Sequence, residues 1–234
     1  MMKQERETTG SSSGTEQERP SGKPLRLAAM IEKWTRGEHQ VTTAIPGLAL
    51  HRRESPTEPS CYMFSPHLCL IAQGVKRILL GEEAYVYDER SFVVSSVELP
   101  LVSYVTEASP EKPYLGLTLE LDVKEISKLM HHDRLPSLRS GPTGRGIGVS
   151  KLTPSLLNAV ERLVGLLETP EEIPIFRNLI QREIYYRLLM DEEQGARLRQ
   201  IVVAESRSGQ IARAIDWMKE HFDQPLHIKE LAKH

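Results

Sequence analysis

The feature that most constrains the fold is a run of short apolar segments between residues 48 and 121, with very few residues between them. Their length and composition are typical of strands, and breaks fall at Gly74, Gly81, Asp88-Glu89 and Pro100. The predicted strands are residues 48–53, 61–64, 67–73, 75–80, 84–87, 92–97, 101–106 and 114–121. Connections this short predict antiparallel neighbours, because a parallel crossover needs about a dozen residues or more. Many short antiparallel strands predict a barrel or a double-sheet roll.

Helical patterns flank this strand-rich region. Before it, residues 25–36 carry apolar side chains at helical spacing. After it, Asp122 can cap a helix over residues 123–131, because its carboxylate accepts from free backbone N–H groups. Thr153 and Pro154 are suited to the N-cap and first position of a further helix. Two apolar stripes follow, Leu156, Val160, Leu163, Leu167 and then Phe176, Ile180, Ile184, Leu188. The short connection between the stripes predicts an antiparallel helix pair.

Three segments lack such patterns. Residues 1–23 are rich in Glu, Ser, Gly and Thr and hold no large apolar residue after Met2, so we expect a disordered tail. Residues 136–148 are rich in Gly, Pro and Ser and predict a mobile loop. Residues 193–209 have the character of a linker.

Composition limits the functions that are open to the chain. A hydrophobic content of 39% predicts a folded core. The formal net charge of -2 lacks the basic surplus of most nucleic-acid-binding surfaces. No apolar run approaches the roughly 20 residues that span a bilayer, so no membrane association is expected. Cys61 and Cys69 show no metal-type spacing, and without a secretory segment a reducing cytoplasm is the expected location.

The C-terminal residues form a helix pattern that stops at a proline. Apolar residues recur at helical spacing between Ile211 and Phe222, and Pro225 ends the pattern. A second pattern opens at Leu226. The run over residues 211–232, IARAIDWMKEHFDQPLHIKELA, resembles the opening of the helix-turn-helix domain of the AraC/XylS family of transcription regulators.

This resemblance implies DNA as a partner and places the start of a DNA-binding domain at residues 210–234. In the family, recognition helices follow at the point where this sequence ends, so we expect a truncated domain without specific DNA recognition. Lys229 and Lys233 are candidates for contacts to the DNA backbone, which alone would be weak and sequence-blind.

A second resemblance covers the strand region. The run over residues 66–100, PHLCLIAQGVKRILLGEEAYVYDERSFVVSSVELP, resembles the N-terminal domain of one AraC-type subfamily, as do EASPEKPY and LTLELD further on. It implies an α+β fold, with an antiparallel cupin-like β-barrel or double-sheet roll followed by an α-helical region. It also implies an effector-sensing and dimerisation domain over residues 24–192, with the barrel at 44–121 and helices at 122–192.

Cupin-like barrels include enzymes that hold a metal site. Such metal sites typically hold an H-x-H pair on one strand. His51 and His67 are isolated in the strand region, and Ser95-Ser96 lacks the strained glycine-flanked turn of a nucleophile. We therefore expect no catalytic residue, no metal and no cofactor. The alternative, a cupin-like binding protein or metal-dependent enzyme, stays open.

A small-molecule site inside the barrel fits the strand pattern better. Barrels of this size can enclose one ligand, with alternate strand residues pointing inward. Polar or aromatic residues on otherwise apolar strands are the candidates for contact with an unknown effector: Gln73, Tyr85, Tyr87, Tyr104 and Tyr114.

The helix pair predicts a homodimer. Tyr185 and Tyr186 are adjacent, so they cannot both belong to the stripe that ends at Leu188. At least one aromatic ring is left for another surface, and protein interfaces are enriched in tyrosine.

Overall fold

The structure, a computed structural model, describes residues 24–95, 99–130, 146–199 and Val202. They form an α+β fold in which two antiparallel sheets face each other and helices cover one of the sheets. The predicted fold class is confirmed in its double-sheet form, since the described strands build two separate sheets. The predicted tail, most of the predicted loop and the whole of residues 210–234 lie outside the described residues.

Ten strands are described. They are β1 Gln40–Thr42, β2 Leu48–Arg53, β3 Ser60–Phe64, β4 His67–Gln73, β5 Val75–Leu80, β6 Glu83–Tyr87, β7 Ser91–Ser95, β8 Leu99–Glu107, β9 Tyr114–Glu120 and β10 Ile147–Lys151. The described helices are α1 Pro24–Trp34, α2 Val123–Met130, α3 Pro154–Gly165, α4 Ile173–Met190 and α5 at residues 192–199. Two short 3-10 turns, Leu166–Glu168 and Pro170–Glu172, join α3 to α4.

One sheet has six strands in the order β1-β2-β9-β4-β7-β10, and the other has four in the order β3-β8-β5-β6. All described strand pairs are antiparallel, as the short connections predict. Strands that follow each other nevertheless often lie in opposite sheets. β4 and β5 are joined by Gly74, whose φ is 91° and where a Cβ would lie 2.7 Å from the Glu107 carbonyl oxygen. This sharp corner between the sheets therefore requires glycine.

Two predictions about strands are wrong. Residues 147 and 148 were expected in a mobile loop, yet they begin β10, which pairs with β7. Pro100 was expected to separate two strands, yet it lies inside β8, opposite Met63 of β3. On the other side of β8, the described pairing with β5 begins at Val102, two residues after Pro100. A proline is tolerated at that place because few ladder hydrogen bonds depend on its missing N–H group.

The six-stranded sheet is buried on both faces because it separates two cores. Strand residues that point away from the other sheet pack with α1, α2, α3 and α4 in one large cluster. Strand residues on the opposite face pack in a second cluster with residues of β5, β6 and β8. This double burial explains the nearly continuous apolar run of β4, from Leu68 to Ala72.

The helical layer follows the sequence prediction closely. The Asp122 carboxylate accepts from the Glu125 backbone N–H at 3.1 Å, and the Thr153 hydroxyl accepts from that of Leu156 at 3.2 Å. α3 packs against α4. The predicted stripe of α4 is buried from Ile180 onward, but Phe176 near its start is 41% exposed.

The first part of the predicted linker is helical. Residues 192–199 form α5, and Leu198 is fully buried in the large cluster. This part of the chain is therefore packed on the domain.

Candidate functional site

The two faces of the six-stranded sheet differ in chemistry. On the face towards the helices, the buried strand residues are all apolar: Leu48, Leu50, Leu68, Leu70, Ala72, Phe92, Val94, Leu115, Leu117 and Leu119. Arg52, at the edge of that face, is paired with Glu54 at 3.0 Å. On the other face, apolar residues such as Cys69 and Val93 share the surface with the polar residues His51 and Thr118 of neighbouring strands. Ser95, the fully buried polar residue of this sheet among its described strands, also lies on the face towards the other sheet.

We define the roll interior as the space between the sheets that His51, Cys69, Ser95 and Thr118 line from one side and Lys76, Tyr85, Tyr87 and Ser103 from the other. Among the described strands, the fully buried polar residues are Ser95 and Ser103, and both belong to this interior. Burying a polar group costs free energy unless it is hydrogen-bonded, and the Ser95 hydroxyl donates to the Ser65 carbonyl oxygen at 3.2 Å.

Lys76 is placed inside by the register of β5. It pairs with Tyr87 on β6 and with Val105 on β8, and both residues are buried between the sheets. Directly paired residues of antiparallel strands project to the same face, so the Lys76 side chain lies on the inner face. Its charge acts on His51 and on Cys69, which both belong to the opposite sheet. Arg77, the next residue, is exposed on the outer face.

His51 faces Lys76 across the interior. Burial, together with the positive charges of Lys76, Arg53 and His67, lowers the pKa of His51 from 6.5 to about 4. The imidazole is therefore neutral at physiological pH. Its Nε2 atom lies 3.0 Å from the Thr118 hydroxyl oxygen, a hydrogen bond whose direction depends on the tautomer.

Tyr114 covers the neighbouring part of the same wall. A Cβ at Gly116 would lie 2.6 Å from the Tyr114 hydroxyl oxygen and 3.0 Å from the Leu70 carbonyl oxygen. The Tyr114 ring therefore lies along β9 over Gly116, which is the direct partner of His51 in β2. The absent side chain at Gly116 leaves room for the phenol on this wall of the interior.

The structure brings three of the five predicted ligand residues to the interior. Tyr87 and Tyr114 are buried there, and Tyr85 packs against the same cluster with its hydroxyl donating to Glu83 at 2.7 Å. Gln73 lies at the corner before β5, and its amide donates to the Pro113 carbonyl oxygen at 2.7 Å. Tyr104 lies on the outer face, because it pairs with the exposed Arg77.

Sequence reasoning missed Lys76, His51 and Thr118 as inner-face residues. Lys76 is two residues from the buried Ile78 in a strand of period two, so alternation alone places both on one face. His51 looked isolated in the sequence because its neighbours in space come from β9 and β5, far along the chain.

The remaining groups of this region that could react are the thiols of Cys61 and Cys69. Burial raises the pKa of the Cys69 thiol to about 12, so it stays protonated. Cys61 is exposed on β3. Within residues 24–95, 99–130 and 146–199, no three or more His, Cys, Asp or Glu side chains are grouped so that they could hold a metal ion.

A hydrogen-bond network joins the wall of the interior to α5. Ser150 of β10 donates to Asp191 at 3.1 Å and accepts from the Gln194 amide at 2.9 Å. The same Asp191 carboxylate caps α5 by accepting from the Gln194 backbone N–H at 2.9 Å. Arg197 lies against Gly148, where a Cβ would collide with its guanidinium group. β10 itself pairs with β7, whose Val93 belongs to the inner cluster.

Two stacked antiparallel sheets and a helical layer thus enclose a partly polar interior. The family described as AraC-type transcriptional regulator N-terminus matches residues 44–197, which is more than half of the chain. The chain belongs to this family of transcriptional regulators. No curated protein sequence matches it significantly.

Several solved structures are similar to the chain. ToxT from Vibrio cholerae, solved with a bound unsaturated fatty acid, is 10% identical and has a TM-score of 0.44, over 79% of this chain and 68% of ToxT. ToxT bound to (E)-4-(8-methylnaphthalen-1-yl)but-3-enoic acid is 11% identical with a TM-score of 0.46, over 84% and 71%. The AraC-like transcriptional activator CuxR is 12% identical with a TM-score of 0.36, over 60% and 51%.

Among the described helices, in residues 24–130 and 146–199, no helix is both long enough and apolar enough to cross a lipid bilayer.

Proposed function

We propose that the described part of this regulator is its effector-sensing and dimerisation domain, and that a small molecule binds in the roll interior. The observation that carries the proposal is the contrast between the two faces of one sheet. Where the sheet packs on helices, its buried residues are apolar, but between the sheets it carries His51 and Ser95. Ligand sites typically combine an apolar lining with a few polar groups that fix the orientation of the ligand.

The ligand contacts that we propose are Tyr85, Tyr87 and Tyr114, together with His51 and Lys76. A buried tyrosine supplies apolar area and one directional hydrogen bond. We assign Gln73 a structural role at the corner between the sheets, because its amide donates a hydrogen bond to the Pro113 carbonyl oxygen.

The network at β10 offers a route from the interior to the C-terminal part of the chain. A ligand that moves β7 or β10 would change the position of Ser150, and with it the cap of α5 at Asp191. Regulation of this kind requires that the ligand bind one arrangement more tightly than the other. We propose that α5 transmits the change towards residues 210–234, where the resemblance to helix-turn-helix proteins places DNA binding.

We further propose that two copies associate through α4. Its outer face carries an exposed apolar stripe at helical spacing: Ile175, Phe176, Leu179, Tyr186 and Met190. Tyr185 points the other way, and its hydroxyl accepts from the Asp122 backbone N–H at 3.2 Å. A second copy is the occupant that fits, because a straight apolar stripe on one helix is complementary to itself across a two-fold axis.

The remaining assignments rest on the family. They are the domain over residues 24–192, a linker that follows α5, DNA contacts that include Lys229 and Lys233, and a location in the cytoplasm with the DNA. A binding function without catalysis is the one we propose, because family members are transcriptional regulators. A cupin-like metal-dependent enzyme has no specific observation among the described residues in its favour.

The proposed ligand site can be tested by filling it. Ser103 is buried on the inner face of β8, and Val102 beside it faces outward. We expect Ser103→Leu to weaken binding of the neutral apolar fluorophore N-phenyl-1-naphthylamine by about tenfold or more, because the added side chain takes up interior space. Val102→Leu is the matched control and should leave the affinity unchanged. Circular dichroism and thermal unfolding establish that both variants are folded.

The affinities of the two variants for the fluorophore decide whether the ligand site lies in the roll interior. Equal affinities of folded Ser103→Leu, Val102→Leu and wild type would place the fluorophore elsewhere and contradict an effector site in the roll. If Ser103→Leu does not fold, Ser103→Val serves as a smaller filling substitution with the same expected direction.

A further inference from the structure

The two faces of β10 have different neighbours. Ile147 is fully buried in the cluster between the sheets, and Val149 packs against the same cluster. Alternate residues of a strand point to opposite faces, so Gly148 and Ser150 lie on the face towards α5. There the Ser150 hydroxyl accepts from the Gln194 amide at 2.9 Å. One strand therefore forms part of the wall of the roll interior and also the surface on which α5 rests.

α5 contributes little apolar surface to this contact. Residues 192–199 read EEQGARLR, and Leu198 is the one large apolar side chain among them. It is fully buried in the large cluster. The later turns of α4, by comparison, bury Ile180, Ile184, Tyr185, Leu188 and Leu189. Burial of apolar surface is the main favourable contribution to packing, so α5 is bound to the domain more weakly than α4.

The most deeply buried polar side chain of α5 has only some of its hydrogen bonds. Gln194 is 0% exposed, and its NH₂ group donates to the Ser150 hydroxyl. Its Oε1 atom is also buried, and among the described residues no donor lies within hydrogen-bond distance of it. A buried acceptor without a donor costs free energy in the docked helix, whereas water binds the same atom in an exposed helix. Gln194 therefore fixes the position of α5 and at the same time limits how tightly α5 is held.

Gly195 allows α5 to approach the end of α4. A Cβ at this position would collide with the Leu189 carbonyl oxygen and would lie 3.0 Å from the Leu189 carbonyl carbon. Glycine also disfavours a helix relative to the unfolded chain, because it loses more backbone entropy than other residues. The residue that makes docking possible therefore lowers the stability of the helix itself.

We propose that α5 is a reversibly docked helix, which alternates between its described position on β10 and a released state. Segments with few buried apolar contacts open locally at a lower free energy than the core. Docking holds the start of the chain that follows residue 199 beside the wall of the roll interior, and release frees it. This regulatory consequence rests on the proposed function, in which α5 leads towards the DNA-binding residues. Docking and release themselves require neither ligand nor DNA.

Hydrogen exchange of the full 234-residue chain, read by mass spectrometry of its peptides, tests for the two states. In the wild type we expect the amides of residues 192–199 to exchange at least about tenfold faster than those of residues 180–188. They should still exchange more slowly than the same sequence in an unprotected peptide, because the docked state protects them.

Two alanine variants of α5 test the contact at Gly195. We expect Gly195→Ala to speed the exchange of residues 192–199 by about tenfold or more, because its Cβ collides with Leu189 although alanine favours the helix. Glu193→Ala is the matched control. It adds the same helix preference at an exposed position and should leave the exchange of α5 unchanged or slower. The exchange of α4 should be equal in both variants.

Two further variants change the polar contact. Gln194→Met replaces the amide by an apolar side chain of similar length, and we expect it to slow the exchange of α5 by about threefold or more. Ser150→Ala leaves the Gln194 amide without its acceptor and should speed the exchange. Ser150→Ala also serves in place of Gly195→Ala if circular dichroism shows that the glycine variant does not fold.

The proposal is overturned if wild-type α5 exchanges as slowly as α4, because α5 would then open only with the whole domain. It is equally overturned if α5 exchanges as fast as an unprotected peptide, because a docked state would then be missing. Equal exchange of folded Gly195→Ala, Glu193→Ala and wild type would also contradict it. None of these measurements involves a ligand, so the proposed site in the roll interior is decided separately by Ser103→Leu.

Discussion

His51 is the residue whose chemistry differs most from that of a free amino acid. Its pKa falls from 6.5 to about 4 in the folded protein, mainly because of burial. Between these values the unfolded chain binds a proton that the folded protein does not. Stability therefore contains a contribution from neutral His51 that is complete above about pH 6.5 and is lost as the pH falls towards about 4.

This behaviour predicts the pH dependence of a His51→Gln variant. Glutamine does not titrate, so the acid-induced loss of stability between about pH 7 and about pH 4 should be smaller in the variant by up to about 3 kcal/mol. Urea unfolding at several pH values measures this difference. His39→Gln, which replaces an exposed histidine, is the control. Parallel pH profiles of His51→Gln and wild type would show that His51 is not the buried neutral group described here.

Some residues were predictable individually and others only through their partners. The caps at Asp122 and Thr153 were predictable, because an N-cap depends on a few consecutive residues. The inward position of Lys76 depends on the alternation of β5 and on its register with β6 and β8. The neighbourhood of His51 depends on β9, more than sixty residues along the chain, and on Lys76 of β5. Local patterns do not encode such a pairing.

Among the elements, α4 has two roles on its two sides. Ile184 and Leu188 are fully buried against the core, whereas Ile175 and Leu179 are 65% and 62% exposed. The sequence predicted the inner stripe correctly from Ile180 onward and also predicted that one of two adjacent tyrosines would be left outside. The structure shows Tyr186 in that position.

The outer stripe of α4 predicts a separable effect on association. Leu179→Asp places a charge in the centre of the exposed stripe without removing core contacts, so the fold should be retained. We expect the variant to be monomeric at concentrations where the wild type is dimeric, measured by sedimentation equilibrium. Asn158→Asp adds the same charge to an exposed position of α3 and should stay dimeric. A wild-type protein that is itself monomeric at tens of micromolar would contradict dimerisation through α4.

β10 shows why an element can be missed from sequence. The glycines at 146 and 148 are typical of a loop, but in the structure the Arg197 side chain crosses the strand at Gly148, where a Cβ would meet its guanidinium group. A strand at the edge of a sheet gains its structure from its partner, here β7, and from the helix that covers it. Neither of these appears in the local sequence.

At the scale of the whole molecule, the chain forms two cores on the two sides of one sheet. Eight of the ten described strands, β2 to β9, and their antiparallel direction were predictable from the period of the sequence and from the short connections, whereas β1 and β10 were not. The assignment of each strand to one sheet or the other was not predictable, because a glycine corner such as Gly74 and a hairpin glycine such as Gly81 look alike in sequence. The site depends on this division, since the roll interior exists only between the sheets.

The two cores provide the most direct measurement of the central claim, which is that a small molecule binds between the sheets. Isoleucines mark both cores: Ile71, Ile78 and Ile147 lie between the sheets, and Ile126, Ile180 and Ile184 lie under the helices. In a protein with labelled isoleucine methyl groups, 8-anilinonaphthalene-1-sulfonate should shift the NMR signals of the first group in a saturable manner and leave the second group nearly unchanged. Larger shifts in the second group, or no saturable shift in either, would contradict the account.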